Sequence, residues 1–451
     1  MEIEKIPKNY LSHMEEILGK EEFLKFYEFI INNEVKKSVT FNRKANTSFI
    51  MENLPDAKKV ELAEFGYFIP NDFKIGESLL NHAGVIYSQD SSAMIPVEVM
   101  DVKEGDVVLD LCSAPGGKSI QILNKLNGKG LLFSNEIEYS RAKILFENIT
   151  RMGFNNCVIT NSTPKDFKQS KMLFDKILVD APCSGEGLIA KSKVIIDWKP
   201  EYIESNANRQ LEILNTIKDN LKEGGTLVYS TCTFNLQENE EVVYKFLKQN
   251  PNFELIEPPK MFTEKLDKGI SVYETNMDKC LRCYPHKNNG SGQFVAVMKR
   301  IGSNHVIESR LSLKRNVVQR ELKLISDFLN TTLTEDDGLL DKVYKVNNTV
   351  YLLASNIKLD GVKTMCNGCV IGELTNVLKP NHSFFKQYGH NFKNAIELNE
   401  SDALKYIQGL QIEVDEKLKG YGVFLYKGFV LGGFKANSGK ANNLYPKFLR
   451  N

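Results

Sequence analysis

The chain has 451 residues, 42% of them hydrophobic and 25% charged, which is enough for two or three domains with large cores. Its mean hydropathy of −0.29, with no apolar run near the ~18 residues of a membrane span, excludes both a membrane-spanning and a disordered protein. The net charge of +1 predicts by itself no polyanionic partner, and the charged start Met-Glu-Ile-Glu-Lys points to the cytoplasm, where eight cysteines act as thiols, ligands or nucleophiles.

Along the chain, apolar residues at helical spacing over 10–31, interrupted by Gly19, predict two short helices. A mixed stretch follows, giving an α+β unit over 1–80. Over 81–302 the pattern changes to apolar, β-branched runs separated by helical segments, at 107–111, 131–135, 158–160, 177–180, 227–230 and 294–298. Runs apolar on both faces alternating with helices indicate an α/β unit with a parallel sheet covered on both sides. The remainder, 303–451, reads as a linker and helix to about 327, then short strands such as 350–353 and 422–426 with glycine turns. This last part is basic: residues 311–451 hold 19 basic and 14 acidic side chains, and the final 31 residues hold Lys427, Lys435, Lys440, Lys447 and Arg450 with no acid. Such an end is either a nucleic-acid footprint or a solvated basic face.

The first strong strand runs into Asp110-Leu111-Cys112-Ser113-Ala114-Pro115-Gly116-Gly117-Lys118-Ser119 and then a helix. Two glycines at a strand-to-helix turn let a ligand approach the backbone, and the helix N-terminus adds partial positive charge. Glu136 stands twenty residues past Gly116 at the end of the next strand, where doubly wound folds place the acid that holds a ribose. The loop has neither a third glycine for a dinucleotide nor the Gly-Lys-Ser/Thr of a P-loop. S-adenosylmethionine, with a ribose and no phosphate, fits best.

Two cysteines lie just past predicted strands, in Asp180-Ala181-Pro182-Cys183-Ser184-Gly185-Glu186-Gly187 and in Ser230-Thr231-Cys232-Thr233. That edge is where open parallel sheets bind ligands. An isolated cysteine there is commonly a buried structural thiol; two of them beside an acid and a cofactor loop match a particular chemistry. Carbon 5 of a pyrimidine takes a methyl group only after a thiolate has added to carbon 6, and a base must then remove the C5 proton. Cys232, Cys183 and Asp180 can supply nucleophile, base and a hydrogen-bonding acid for the cytosine edge.

These segments, with Tyr87-Ser88-Gln89-Asp90-Ser91-Ser92-Ala93-Met94, Asn208-Arg209-Gln210 and Arg282-Cys283-Tyr284-Pro285-His286-Lys287, resemble the NOL1/NOP2/Sun family of RNA cytosine-C5 methyltransferases. The tail Leu431-Gly432-Gly433-Phe434-Lys435 with Tyr445-Pro446-Lys447-Phe448-Leu449-Arg450 is similar to its bacterial RsmF-type branch. The resemblance is dense over about 82–300 and looser outside. It implies a Rossmann-like S-adenosylmethionine-dependent core between a small α+β N-terminal domain and a β-rich, PUA-like, RNA-binding C-terminal domain. It assigns Cys232 as nucleophile, Cys183 to product release and Asp180 to the target base. Cys112, Ser113, Ala114, Pro115, Gly116, Gly117, Lys118, Glu136, Thr163 and Asp180 then hold the cofactor. Where many members place an aspartate near the adenine, this chain reads Asn161-Ser162-Thr163, so that contact is expected to be weaker or differently made. Small-subunit (16S) ribosomal RNA is the implied substrate, with transfer RNA second.

The remaining motifs have plainer readings. Cys280-Leu-Arg-Cys283 and Cys366-Asn-Gly-Cys369 are 82 residues apart, whereas zinc ribbons separate such pairs by about 15–20, so no metal is expected. His286 reads as a loop hydrogen-bonder and Cys157 as core. Lys191, Lys193 and Trp198 lie where a loop could meet RNA, Trp198 serving equally as core or lid. Two other functions compete: a DNA cytosine methyltransferase, in which Cys183 would be the nucleophile and Cys232 idle, and a non-catalytic RNA-binding assembly factor, which leaves Asp180, Cys183 and Cys232 without a role.

Overall fold

The computed structural model describes residues 6–192, 198–302, 311–335 and 338–450. Lys193 and the predicted linker over 303–310 lie outside the described residues. The first two helices, Lys8–Leu18 and Lys20–Asn32, meet at Gly19. They bury Tyr10, Met14, Phe26 and Ile30, the stripe that their apolar spacing predicts. An antiparallel sheet follows, formed by β1 (Ser38–Phe41), β2 (Lys58–Lys59), β3 (Gly66–Phe68) and β4 (Ile86–Ser88) in the order β2-β3-β1-β4.

The central sheet has ten strands. Five of them, β5 (Val107–Asp110), β6 (Leu131–Asn135), β7 (Cys157–Thr160), β8 (Phe174–Asp180) and β9 (Leu221–Thr231), are parallel in the order β7-β6-β5-β8-β9. The chain winds outward from β5 to β7 and then returns to place β8 on the other side of β5. The C-terminal ends of β5 and β8 therefore flank the switch point where such folds bind ligands. Leu109, Phe133, Ile177 and Tyr229 pack in the core on one face, and Val108, Leu132, Leu178 and Val228 in the core on the other. That two-sided burial is why these strands read as unbroken apolar runs.

Beyond β9 the sheet turns antiparallel, through β10 (Phe253–Leu255), β11 (Asp267–Lys268), β12 (Leu281–Cys283) and β13 (Gln293–Arg300). The run at 294–298 thus belongs to a strand opposed to β9, not parallel to it. Burial on both faces sets its composition whichever way it runs, so the apolar pattern carries no direction.

The C-terminal part adds β14 (Leu311–Ser312), then helix Gln319–Thr332, then β15 (Val343–Val346), β16 (Thr349–Leu352), β17 (Ile357–Lys358), β18 (Thr364–Asn367), β19 (Cys369–Leu374) and β20 (Leu378–Pro380). β15, β16, β19 and β20 form one sheet, but β18 turns back to pair with β7 and completes the edge of the central sheet. The last sheet contains β21 (Ala395–Glu397), β22 (Ile412–Glu413), β23 (Gly420–Tyr426), β24 (Phe429–Asn437) and β25 (Lys440–Asn443) in the order β21-β23-β24-β25-β22. No helix among the described residues is long and apolar enough to cross a membrane.

Candidate active site

The loop leaving β5 is tied down from below. Ser113 donates its backbone N–H to Asn135 O at 2.8 Å and its hydroxyl to Asp110 O at 2.8 Å. The Ala114–Pro115 peptide bond is cis, and Gly116 stands at φ 117° as the N-cap of helix Gly117–Leu126, a conformation that suits glycine. Asp110 is buried and accepts from Ser119 Oγ at 2.6 Å. Burial, opposed by the Ser119 bond and assisted by the charge of Asp180, pushes the Asp110 carboxyl up to about 7. Burial likewise pushes the Cys112 thiol above its ordinary range, so Cys112 is a wall of the loop and not a ready thiolate.

Glu136, at the end of β6, is buried with Oε1 accepting from Glu138 N at 3.0 Å and Oε2 paired with Arg141 at 3.3 Å. Arg141 also donates to Ala114 O at 2.8 Å, and Asn161 Nδ2 donates to Glu136 O at 2.8 Å, so the turns after β5, β6 and β7 are bonded to one another. The Thr163 hydroxyl serves a helix cap: Thr163 is the N-cap of helix Pro164–Ser170 in a capping box with Asp166, its hydroxyl 2.9 Å from Asp166 Oδ2. The local pattern Thr-Pro-x-Asp carries that signal.

Asp180, at the tip of β8, joins the loop to the cysteines. Its Oδ2 accepts from Lys118 Nζ at 2.8 Å, and its Oδ1 accepts from Ser230 Oγ at 2.6 Å and Gln293 Nε2 at 3.1 Å. Burial works against the charge on Lys118, but the Asp180 carboxylate beside it carries its pKa above the usual lysine value.

Cys183 and Cys232 sit on the turns that follow β8 and β9, both free and half-buried, with their sulfurs 3.3 Å apart. The hydrogen bond to Cys232, together with burial, pushes the Cys183 thiol well above its ordinary value. Cys183 also lines a recess of about 190 Å³ with Trp198, Lys199, Tyr202 and Asn206. Lys191 lies apart from it, on a cavity of about 370 Å³ shared with Lys36, Lys37 and Asp90.

Two buried glutamates and a buried arginine hold these turns, and none of the three is apparent as such from spacing. Glu238 accepts from Ser184 N at 3.0 Å, Gln210 Nε2 at 2.9 Å and Asn235 Nδ2 at 2.8 Å. Glu186 accepts from the backbone of Phe234 at 2.8 Å and of Asn235 at 2.9 Å. Arg282 pairs with Glu240 at 2.5 Å and donates to Phe234 O at 2.7 Å. Glu186 and Arg282 do lie inside the quoted motifs, which was the available signal. The two Cys-x-x-Cys pairs fall toward opposite edges of the central sheet, on β12 and on β18–β19. Among the described residues no group of three or more His, Cys, Asp or Glu could hold a metal ion.

Comparison with known proteins agrees with this geometry. Residues 97–299 match the model of the 16S rRNA methyltransferase RsmB/F family, residues 6–91 that of the N-terminal domain of 16S rRNA methyltransferase RsmF, and residues 393–451 that of the methyltransferase RsmF PUA domain. Ribosomal RNA small subunit methyltransferase F of Shewanella piezotolerans is 30% identical over 410 residues, covering 86% of this chain and 84% of the relative. The chain belongs to the RsmF family. The protein of the same description from Aliivibrio salmonicida is 25% identical over 98% of this chain and 97% of the relative. Among solved structures, NSun6 from Pyrococcus horikoshii with SFG, an S-adenosylmethionine analogue, overlays with a TM-score of 0.57 at 22% identity, over 67% of this chain and all of that one. A methyltransferase homolog from the same organism gives 0.56 at 24% identity over 65% of this chain; both likenesses speak to the fold. As an RsmF-family member the chain is an RNA methyltransferase whose methyl donor is S-adenosylmethionine. The donor set agrees: a glycine turn, a buried carboxylate one strand away and no phosphate cradle.

Proposed function

We propose that this chain methylates carbon 5 of cytosine in 16S ribosomal RNA through a covalent intermediate on Cys232. The observation that carries the reading is the pair of free thiols 3.3 Å apart on the turns after two neighbouring parallel strands, with Asp180 at the tip of one strand. The naming of the curated relatives as small-subunit ribosomal RNA methyltransferases supports the substrate.

S-adenosylmethionine, when bound, supplies an electrophilic methyl carbon. Residues 112–118, Glu136 and the 161–163 turn would hold it, and Asp180, bonded to Lys118 of that loop, would face the target base. The Cys232 thiolate adds to carbon 6, which makes carbon 5 nucleophilic enough to take the methyl group. Once the Cys232 sulfur is bonded to carbon 6 it no longer takes part in the hydrogen bond that holds the Cys183 thiol up, so Cys183 gives its proton to solvent and, as thiolate, removes the C5 proton. The C–H electron pair re-forms the C5=C6 bond and expels the Cys232 sulfur. Asp180, held by Lys118, Ser230 and Gln293, orients the N3/N4 edge. Only unpaired or extruded cytosine presents these edges, and the flanking parts, 1–80 and 303–451, supply phosphate and shape contacts.

The test is methyl transfer from labelled S-adenosylmethionine to 16S RNA and small subunits lacking the modification, followed by digestion to nucleosides. Label is expected in 5-methylcytidine. On a denaturing gel Cys183→Ala accumulates a protein–RNA adduct, whereas Cys232→Ala forms neither adduct nor product. An adduct with Cys232→Ala would reassign the nucleophile to Cys183, and label confined to transfer RNA would replace the substrate.

A further inference from the structure

Among the described residues the N-terminal helical pair belongs to a different core from the sheet that follows it. Tyr10, Met14, Phe26 and Ile30 bury themselves against Trp198, Phe234, Tyr284 and Ile189, residues that surround the two cysteine turns. Three contacts are directed at those turns. The Tyr10 hydroxyl donates to Glu186 O at 3.1 Å, His13 Nε2 meets Glu186 Oε1 at 3.0 Å, and the Phe26 ring stands edge-on to Phe234 at 6.0 Å between centroids.

Glu186 is fully buried, three residues beyond Cys183, yet its Oε2 accepts the N–H groups of Phe234 and Asn235, just beyond Cys232. Its Oε1 is shared by Asn235 Nδ2 at 3.1 Å and His13. One carboxylate thus braces the turn of the nucleophile to the turn of the base, and a histidine from the first helix sits on its remaining face. Burial works against the Glu186 charge, and the His13 bond and charge, the Thr233 hydroxyl and the Phe234 N–H together outweigh it, leaving the carboxyl below its ordinary value.

We infer that the N-terminal helical pair is part of the catalytic machinery as a brace, with His13 and Tyr10 acting as positioning residues that hold Glu186 and thereby the Cys183–Cys232 geometry. This rests on the two-cysteine reading above. Neither residue touches substrate; both act through Glu186. A contact of this kind affects the rate of bond formation at the thiols more than cofactor affinity, because the cofactor loop hangs on β5 and β6 instead.

The experiment compares wild type, His13→Leu, His13→Gln and Tyr10→Phe in the full chain. It reads kcat and KM for methyl transfer, the dissociation constant for S-adenosylmethionine, the melting temperature and, in a Cys183→Ala background, the rate of RNA adduct formation. His13→Leu is expected to lower kcat and adduct rate by about 10-fold or more, the scale of a lost hydrogen bond to a buried charge, with cofactor affinity unchanged. His13→Gln, which keeps a donor, recovers most of the loss, and Tyr10→Phe shows a smaller loss of about 2- to 5-fold. Unchanged rates in both His13→Leu and Tyr10→Phe overturn the inference. So does a loss that His13→Gln shares in full, or one that appears equally in cofactor binding or tracks a collapse in melting temperature. A wild type that makes no 5-methylcytidine instead defeats the two-cysteine reading itself, so the two failures are distinct.

Discussion

Asp110 has one carboxylate oxygen bonded to Ser119 and another, Oδ1, without a hydrogen-bond partner among the described residues, so ionising it is costly inside the fold. Its pKa of about 7, raised first by burial, stands above that of the unfolded chain. Between about pH 4 and 7 the folded state keeps a proton that the unfolded chain has released, so this residue's contribution to stability is present at low pH and lost as pH rises through 7. Wild type measured against Asp110→Asn in urea unfolding should therefore lose about 3 kcal/mol of relative stability from pH 5 to 8. A difference that stays flat over that range would mean that Asp110 ionises normally. The residue scale also shows what sequence can and cannot convey. The positions of Glu136, Asp180, Cys183 and Cys232 at the sheet edge are legible because each sits at a fixed offset from a strand end. Glu186 and Glu238 are not legible as braces, because their burial arises where the turns after β8 and β9 meet, one held also by His13 and the other by Gln210. The cap role of the Thr163 hydroxyl is local, carried by Thr-Pro-x-Asp alone.

At the scale of elements, close approach of turns limits which side chains fit. A Cβ on Gly187 would lie 2.9 Å from both Cys232 O and Ser291 O, and backbone cannot yield as a flexible side chain does. The Gly187 N–H also donates to Cys232 O at 2.9 Å, so any shift moves Cys232. Gly187→Ala is expected to cost about 1–3 kcal/mol of stability and to reduce kcat further than that loss explains, with cofactor affinity kept. Equal loss in kcat and in cofactor binding would point to general disruption. The parallel strands β5 to β9 were readable since two-faced burial leaves a compositional trace. β18 was not, for Thr364-Met-Cys-Asn367 has no such run, and its place beside β7 is decided by the chain around it. The same holds for β13, whose composition reports burial but not direction.

At the scale of the whole molecule, the first sheet and the last sheet are joined. Val39, Phe41 and Ile86 of the first sheet share one core with Phe424, Leu431 and Phe434 of the last. The buried Lys386 donates to His82 O at 3.2 Å, Ala83 O at 3.1 Å and Val430 O, and Gln387 reaches Phe154 O at 2.6 Å. The basic C-terminal end is therefore fixed relative to the catalytic core and not tethered loosely to it. Its cations divide into two groups. Lys427 bonds to Asn53 and Arg450 to Tyr445 O at 3.0 Å, so these two serve the fold. Lys435, Lys440 and Lys447 are exposed on β24, β25 and the segment after them, Lys435 lying over the Tyr421 ring at 5.1 Å, where they can meet phosphates. If each neutralises one phosphate, replacing all three by glutamine should flatten the slope of log affinity for 16S RNA against log salt by about 2 to 3, since each contact contributes about 0.7–0.9. Filter binding between 50 and 200 mM salt measures this, with the melting temperature as control for folding. An unchanged slope with weaker binding would mean that these lysines act through the fold, and an unchanged slope with unchanged binding would leave the basic end a solvated face.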